Sequence, residues 1–379
     1  MKVEFYRHNL DETDIARLVE ICHGVFLTTG HEVERFEEAF AGYLGARYAV
    51  GVTSCTAALH LALLAVGVGP DDEVITTPMT FAATSNTVLY VGARPIFVDV
   101  EPHTGLIDCD AVERAITPRT KAILPVHLYG QMADMRRLKS IADRAGVSLI
   151  EDCAHAIESR RDGVKPGELS DAACFSFYAT KNITCGEGGA IVSNSAAIAD
   201  RARLLRQHGM SAIASDRYSG TYRHWDLEML GWKYNMTNLQ AALLVGQLAR
   251  IDTLWERREA IAVRYESMFR NAERVEFPVV VPGARSARHL FTIWVDPARR
   301  DEVLDDLQAR GVGVAVNYRA VHLLKYYREK LGLARGAFPV AERIGDSTVT
   351  LPLYPKLTNA EIDYVAESVT AALSVAPRA

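Results

Sequence analysis

A chain of 379 residues, 49% apolar and 23% charged, has room for two domains and buries enough surface to need no disulfide or metal staple. Its net charge of −5 offers no basic field to a polyanion, which argues against nucleic acid as a partner. Six cysteines (Cys22, Cys55, Cys109, Cys153, Cys174, Cys185) form no CxxC pair, so zinc-site and disulfide frameworks both fail and a reducing compartment fits.

The chain opens on MKVEFYRHNLDETD, which has no apolar core of a secretory signal. The longest apolar-rich run, Ala57 to Val66, is about ten residues, too short to span a bilayer. A cytoplasmic protein that does not enter the membrane is therefore expected. From about residue 45 to 195, short β-branched runs alternate with helical periodicity. The pattern predicts strands at Tyr48–Val52, Glu73–Thr76, Pro95–Val98, Lys121–Val126, Ser148–Glu151, Ala173–Phe177 and Ala190–Ser193. It places helices at Thr56–Val66, Phe81–Tyr90 and Met135–Ala145. Such alternation implies an α/β fold with a large, mostly parallel sheet covered on both faces. Met236 to Phe269 reads as one long helix or two abutting ones. Beyond it, strands at His289–Val295 and Val312–Val316 flank a helix at Asp301–Arg310, and a last helix covers Asn359–Leu373, opened by Thr358 and Glu361. This second part is a smaller α+β domain.

In doubly wound sheets ligands gather at the carboxyl ends of strands, and four segments of interest fall there. Thr53-Ser54-Cys55-Thr56 leads a strand into a helix, where free N–H groups and hydroxyls suit a phosphate; taken alone, an ordinary N-cap is the commoner reason for such residues. Glu151-Asp152-Cys153-Ala154-His155 ends an apolar strand in carboxylates. Such a carboxylate can keep a pyridine nitrogen protonated by opposite charge, or simply make a salt bridge or cap. Phe175–Asn182 carries Lys181 in an apolar setting just past a strand, followed by Gly186-Glu187-Gly188-Gly189. Desolvation there would free the amine for covalent chemistry, although a lysine is more often a solvated surface group. Thr80-Phe81-Ala82-Ala83-Thr84 sets Phe81 where it could stack on a flat ring or serve as core.

Taken in this order, the segments closely resemble the DegT-type sugar-nucleotide aminotransferases, which depend on pyridoxal 5′-phosphate (PLP) and share the aspartate-aminotransferase fold. The likeness runs from Leu27-Thr28-Thr29-Gly30 to Leu351-Pro352-Leu353. It is most specific at Glu151–Ala156, at Phe175–Asn182 with Glu187-Gly188-Gly189, and at Pro125–Gly130. The resemblance implies a PLP-dependent transferase fold with a large PLP-binding domain over residues 1–245, including an N-terminal arm, and a small domain over 246–379. It implies that Lys181 holds the cofactor covalently and shuttles the proton, that Asp152 faces the pyridine nitrogen, and that His155 lies beside the phenolic oxygen. Cys55, Thr56 and Ser176 match positions that hold the phosphate, and Phe81 one that stacks on the ring. Asn235 matches a residue reaching the phosphate in the neighbouring subunit of a homodimer. Thr29, Tyr318, Arg319 and His322 match substrate-binding positions. No metal is implied.

The Lys233-Tyr234-Asn235 and Asn182-Ile183-Thr184-Cys185 forms are nearest the UDP-4-amino-4-deoxy-L-arabinose aminotransferase branch, but Asn317 stands where that branch usually has histidine. The expected reaction moves an amino group from glutamate, leaving 2-oxoglutarate, to a UDP- or dTDP-linked 4-keto sugar for glycan biosynthesis. The alternatives are a 3-keto sugar nucleotide and, from another class, a PLP-binding regulator without catalysis. Related dehydratases carry histidine in the place of Lys181, and no GxGxxG follows the first strands as a Rossmann dehydrogenase would require.

Overall fold

The computed structural model describes residues 1–211, 224–270, 272 and 274–374. Helices α1 (Glu12–His23) and α2 (His31–Leu44) precede the alternating region, and the elements then run β1 (Tyr48–Val52), α3 (Cys55–Ala65), β2 (Glu73–Thr76), α4 (Ala82–Tyr90), β3 (Arg94–Phe97), α5 (Cys109–Ala115), β4 (Thr120–Ile123), α6 (Met135–Ala145) and β5 (Ser148–Asp152). A short β6 (Arg160–Arg161) is followed by β7 (Ala172–Ser176), β8 (Gly189–Ser193), α7 (Ala196–Leu205), α8 (Asn238–Ala249) and α9 (Ile251–Phe269). The chain continues through β9 (Ala284–Arg285), β10 (Phe291–Trp294), α10 (Arg300–Ala309), α11 (Lys325–Leu331), α12 (Pro339–Ser347), β11 (Thr348–Leu351) and α13 (Asn359–Ser374).

Seven strands form one sheet in the order β1-β8-β7-β5-β4-β2-β3. β8 pairs antiparallel with both β1 and β7, and the remaining pairs are parallel. The carboxyl ends of β1, β2, β4, β5 and β7 therefore share one edge, and the reversed β8 begins at that same edge. Gly189, the first residue of β8, stands between Val52 at the end of β1 and Ser176 at the end of β7. Strands β2, β5, β7 and β8 are buried along nearly their whole length, as strands covered on both faces must be.

Of the two forms expected over 236–269, one long helix or two abutting ones, the structure has two, meeting at Arg250. Thr237 and Gln240 close a capping box at the start of α8. The division expected between residues 245 and 246 falls inside α8. A separate core gathers Ile261, Tyr265 and Phe269 of α9, Ile293 of β10, Val349 of β11 and Val369 of α13. Val3 belongs to this core as well: its N–H donates to the Gly311 carbonyl at 2.9 Å and its carbonyl accepts from the Gly313 N–H at 2.8 Å. The strand expected at Val312–Val316 does not form. That segment makes only isolated bridges, Val312 with Val3 and Ala315 with Thr350, and β11 pairs with β10 in its place. No described helix is long and apolar enough to cross a membrane.

One buried ion pair ties α9 to the sheet domain. Arg258 and Glu158 are almost wholly excluded from solvent and bonded to each other, and Glu158 also accepts from Asn182 Nδ2 at 2.9 Å. Removing one member of such a pair strands the other charge, so Arg258→Met should lower unfolding free energy by about 3–5 kcal/mol, read from the urea midpoint.

Candidate active site

The shared strand edge opens into a cavity of about 560 Å3 lined by Lys181, Asp152, His155, Cys55, Thr56, Ser176, Phe81 and Tyr318. At the floor, Ser54 caps α3 by accepting the Ala57 N–H at 3.0 Å. That leaves the first two amides of the helix, at Cys55 and Thr56, without a partner among the described residues, beside the hydroxyls of Thr56 and Ser176. A Cβ on Gly189 would lie 2.4 Å from the Ser54 carbonyl carbon and 2.6 Å from the Cys55 nitrogen. Only glycine lets β8 pass beneath this cap.

Asp152 is the last residue of β5 and nearly buried. Its Oδ2 accepts from the Thr84 hydroxyl at 2.8 Å and its Oδ1 from the Ala154 N–H at 3.1 Å. Burial pushes its carboxyl above the usual range, while those two donors and the Lys181 amine act to lower it. Lys181 sits in the turn after β7, where its N–H donates to the Tyr178 carbonyl at 2.9 Å. Desolvation brings its amine down to about 8, with Cys55 and Asp152 pulling the other way. The amine makes no hydrogen bond or ion pair among the described residues.

His155 is buried and held well below its ordinary pKa, first by desolvation and then by Lys181. Its Nε2 lies 3.1 Å from the Tyr318 hydroxyl, with the two rings stacked at 14°, and its Nδ1 is buried without a partner. Behind it, 4.4 Å away, the His289 ring contacts Asn182 Oδ1 through Nδ1 at 3.1 Å. Phe81 is 62% exposed, with its ring free on the cavity side and 5.9 Å from that of Tyr318.

The profile of the DegT/DnrJ/EryC1/StrS aminotransferase family matches residues 8–370. The chain belongs to this family. It is 41% identical over 367 residues to the spore coat polysaccharide biosynthesis protein SpsC of Bacillus subtilis, covering 95% of this chain and 94% of that one. The putative sugar aminotransferase Spr1654 of Streptococcus pneumoniae, solved in PMP and PLP forms, superposes with a TM-score of 0.92 at 30% identity; the PMP form covers 98% of this chain and 99% of that one. DesV of S. venezuelae, solved with a ketimine intermediate, superposes with a TM-score of 0.89 at 36% identity, covering 96% and 95%. The protein is a PLP-dependent sugar aminotransferase with the aspartate-aminotransferase type of fold.

The donors of the aminotransferase's cavity fit PLP: free helix-terminal amides and hydroxyls for a phosphate, an unpaired amine, a carboxylate, an unpartnered imidazole nitrogen and an exposed aromatic face. Four expected residues lie elsewhere. Thr29 and Asn235 bond each other at 2.7 Å, Asn235 also accepts from Lys233 Nζ at 2.5 Å, and neither lines the cavity. Arg319 is exposed beyond Tyr318 and does not line it either. His322 is fully buried with Nε2 2.9 Å from Glu342, so the expected substrate contact gives way to a structural pairing.

Thr84, Tyr178 and Phe5 also line the cavity and were not singled out in the sequence. Thr80 and Thr84 are four residues apart at a strand-to-helix junction, a spacing that could have pointed to a hydroxyl pair; Phe5 carries no local signal. His127, Glu151 and Cys153 cluster as metal ligands would. Yet His127 bonds Glu151 at 2.6 Å and accepts from the Ala133 N–H, while Glu151 accepts from Gly167 and Ser170, so the arrangement is already engaged in holding the strand ends.

An amine lowered to about 8 captures an aldehyde through its neutral form. The initial rate at which the PLP-free enzyme takes up PLP covalently should climb with pH and level off above about 8, followed by borohydride reduction and peptide mass analysis. Lys181→Ala should show no tag at position 181 at any pH.

Proposed function

We propose that the enzyme transfers the amino group of glutamate to the C4 keto carbon of a UDP- or dTDP-linked sugar, producing an amino sugar nucleotide for a cell-surface glycan. The observation that carries this reading is a desolvated, unpaired lysine amine and a buried carboxylate lining one cavity with the aromatic side chains Phe5, Phe81, Tyr178 and Tyr318. Aromatic walls suit the apolar faces of a sugar ring. The likeness to a spore coat polysaccharide protein supports the glycan setting.

PLP supplies an electron sink for the carbon that gains or loses its proton. The chain supplies the rest. Lys181, neutral for part of the time near pH 8, takes a proton from the donor's carbon and returns one to the sugar carbon. Such general acid–base transfer contributes about two to four powers of ten in rate. Asp152 holds negative charge at the end of β5, and His155 offers a neutral imidazole beside the same cavity. The α3 N-terminus with Thr56 and Ser176 binds the phosphate.

The same reading assigns Thr29 and Asn235 to the neighbouring active site of a homodimer. Val25, Leu27 and Leu230, the last 82% exposed, flank those residues in sequence and leave apolar surface for a second copy. Glutamate with a panel of 4-keto and 3-keto nucleotide sugars should give a C4 amino product, identified by mass and NMR. A product aminated only at C3 would overturn the assignment of the carbon. Sedimentation should show two copies, and Asn235→Ala should weaken PLP retention only if the copies share their sites.

A further inference from the structure

Two threonine hydroxyls stand behind the buried carboxylate and are not accounted for by the roles above. Thr84, in the first turn of α4, is wholly buried, and its hydroxyl lies 2.8 Å from Asp152 Oδ2. The Thr84 hydroxyl is also 2.6 Å from that of Thr80, itself buried, and 3.2 Å from the Phe81 carbonyl. A threonine hydroxyl has one proton to give. If Thr80 gives its proton to Thr84, the Thr84 proton is left for the carboxylate, which is the better acceptor because it carries charge. The chain Thr80 to Thr84 to Asp152 is thus a directed relay of hydroxyl protons ending on the acid.

We propose that Thr84, oriented by Thr80, is a positioning residue that keeps Asp152 ionised and aimed into the cavity for the ring nitrogen of PLP. This rests on Asp152 being the partner of that nitrogen. Thr84 is the nearest side-chain donor to Asp152, on Oδ2 at 2.8 Å; the Cys55 thiol, a weak donor, reaches the other oxygen, Oδ1, at 4.0 Å. The titratable groups facing the carboxylate are Cys55 from α3, Cys153 beside it, Cys174 from β7, His127 after β4, Lys181 after β7 and Tyr318 from the C-terminal part. Burial raises the Asp152 carboxyl, and the Thr84 hydroxyl is the first of the groups opposing that rise. A hydrogen bond to a charged group is worth enough that its loss costs about tenfold or more in an equilibrium constant.

The sign follows directly. Asp152 is ionised above its pKa, and removing the hydroxyl moves that pKa further up. PLP affinity, where it depends on the anion, must then fail on acidification at a higher pH than in the parent enzyme.

The test is PLP titration of the PLP-free enzyme across pH, followed by absorbance and protein fluorescence. Thr84→Val, which keeps the shape and removes the hydroxyl, should raise the PLP Kd about tenfold or more and move the acid limb upward. Thr84→Ser should restore both, and Thr80→Val should shift both in the same direction by less. Thr84→Val with parental Kd and profile overturns the proposal, as does Thr84→Ser as damaged as Thr84→Val. If Thr84→Val does not fold, an unshifted profile in Thr80→Val overturns it instead. Asp152→Asn separates the two readings. Weak binding there with a parental Thr84→Val sinks the relay alone, and parental binding in Asp152→Asn sinks the role of Asp152 beneath it.

Discussion

Everything at the strand edge depends on keeping water from an amine and a carboxylate in one cavity. Burial drives each toward its neutral form, Lys181 downward and Asp152 upward, and their mutual attraction resists both shifts. The outcome is an amine near the pH of the cell rather than three units above it, which is what a group that both accepts and returns a proton needs. Surrounding groups serve this balance. His155 and His289, with ring centres 4.4 Å apart and both depressed by burial, bring no competing cation beside the lysine. Asn182, next to Lys181 in the chain, spends its amide on Glu158, Ala287 and His289, so the turn carrying the amine is fastened from below.

The reversed strand β8 has a second role beyond completing the sheet. Because it enters at the edge where its neighbours end, its opening glycine lies against the start of α3 and among the residues that would meet a phosphate. Any side chain there would collide with backbone atoms, which cannot step aside as a flexible side chain can. A strand direction, a glycine and a helix cap are therefore one constraint expressed three times.

The sheet strands were legible because β-branched runs buried on both faces leave a continuous pattern, and of the eight expected residues found in the cavity all but Tyr318 come from motifs at strand ends. Helices α1, α2, α5, α7, α11 and α12 went unassigned: α1 and α2 precede the strand–helix alternation, α7 follows its last strand, and α5, α11 and α12, of 7, 7 and 9 residues, are too short to show a helical period. Val312–Val316 has the composition of a strand, but its partners are a single residue at each end, so pairing rather than propensity decided its form. His322 was expected at the site from the family resemblance alone; its pairing with Glu342 of α12, 20 residues further on, has no local signal. Phe5 is the same lesson in a stronger form, since its place is set by residues more than three hundred positions away.

That last contact has a bearing on how the molecule is made. Val3 rests in a core built from Ile293, Val349 and Val369, and Phe5 follows it into the cavity wall. Val3 and Phe5 are synthesised well before Ile293, Val349 and Val369, so their seat cannot form until those later residues have emerged. The sheet strands, with the lysine and the acid, come earlier in the chain, and the side of the chamber that holds Phe5 stays open until the residues around 293–369 have followed. The residues that do the chemistry and the residues that enclose it are thus separated in the order of synthesis.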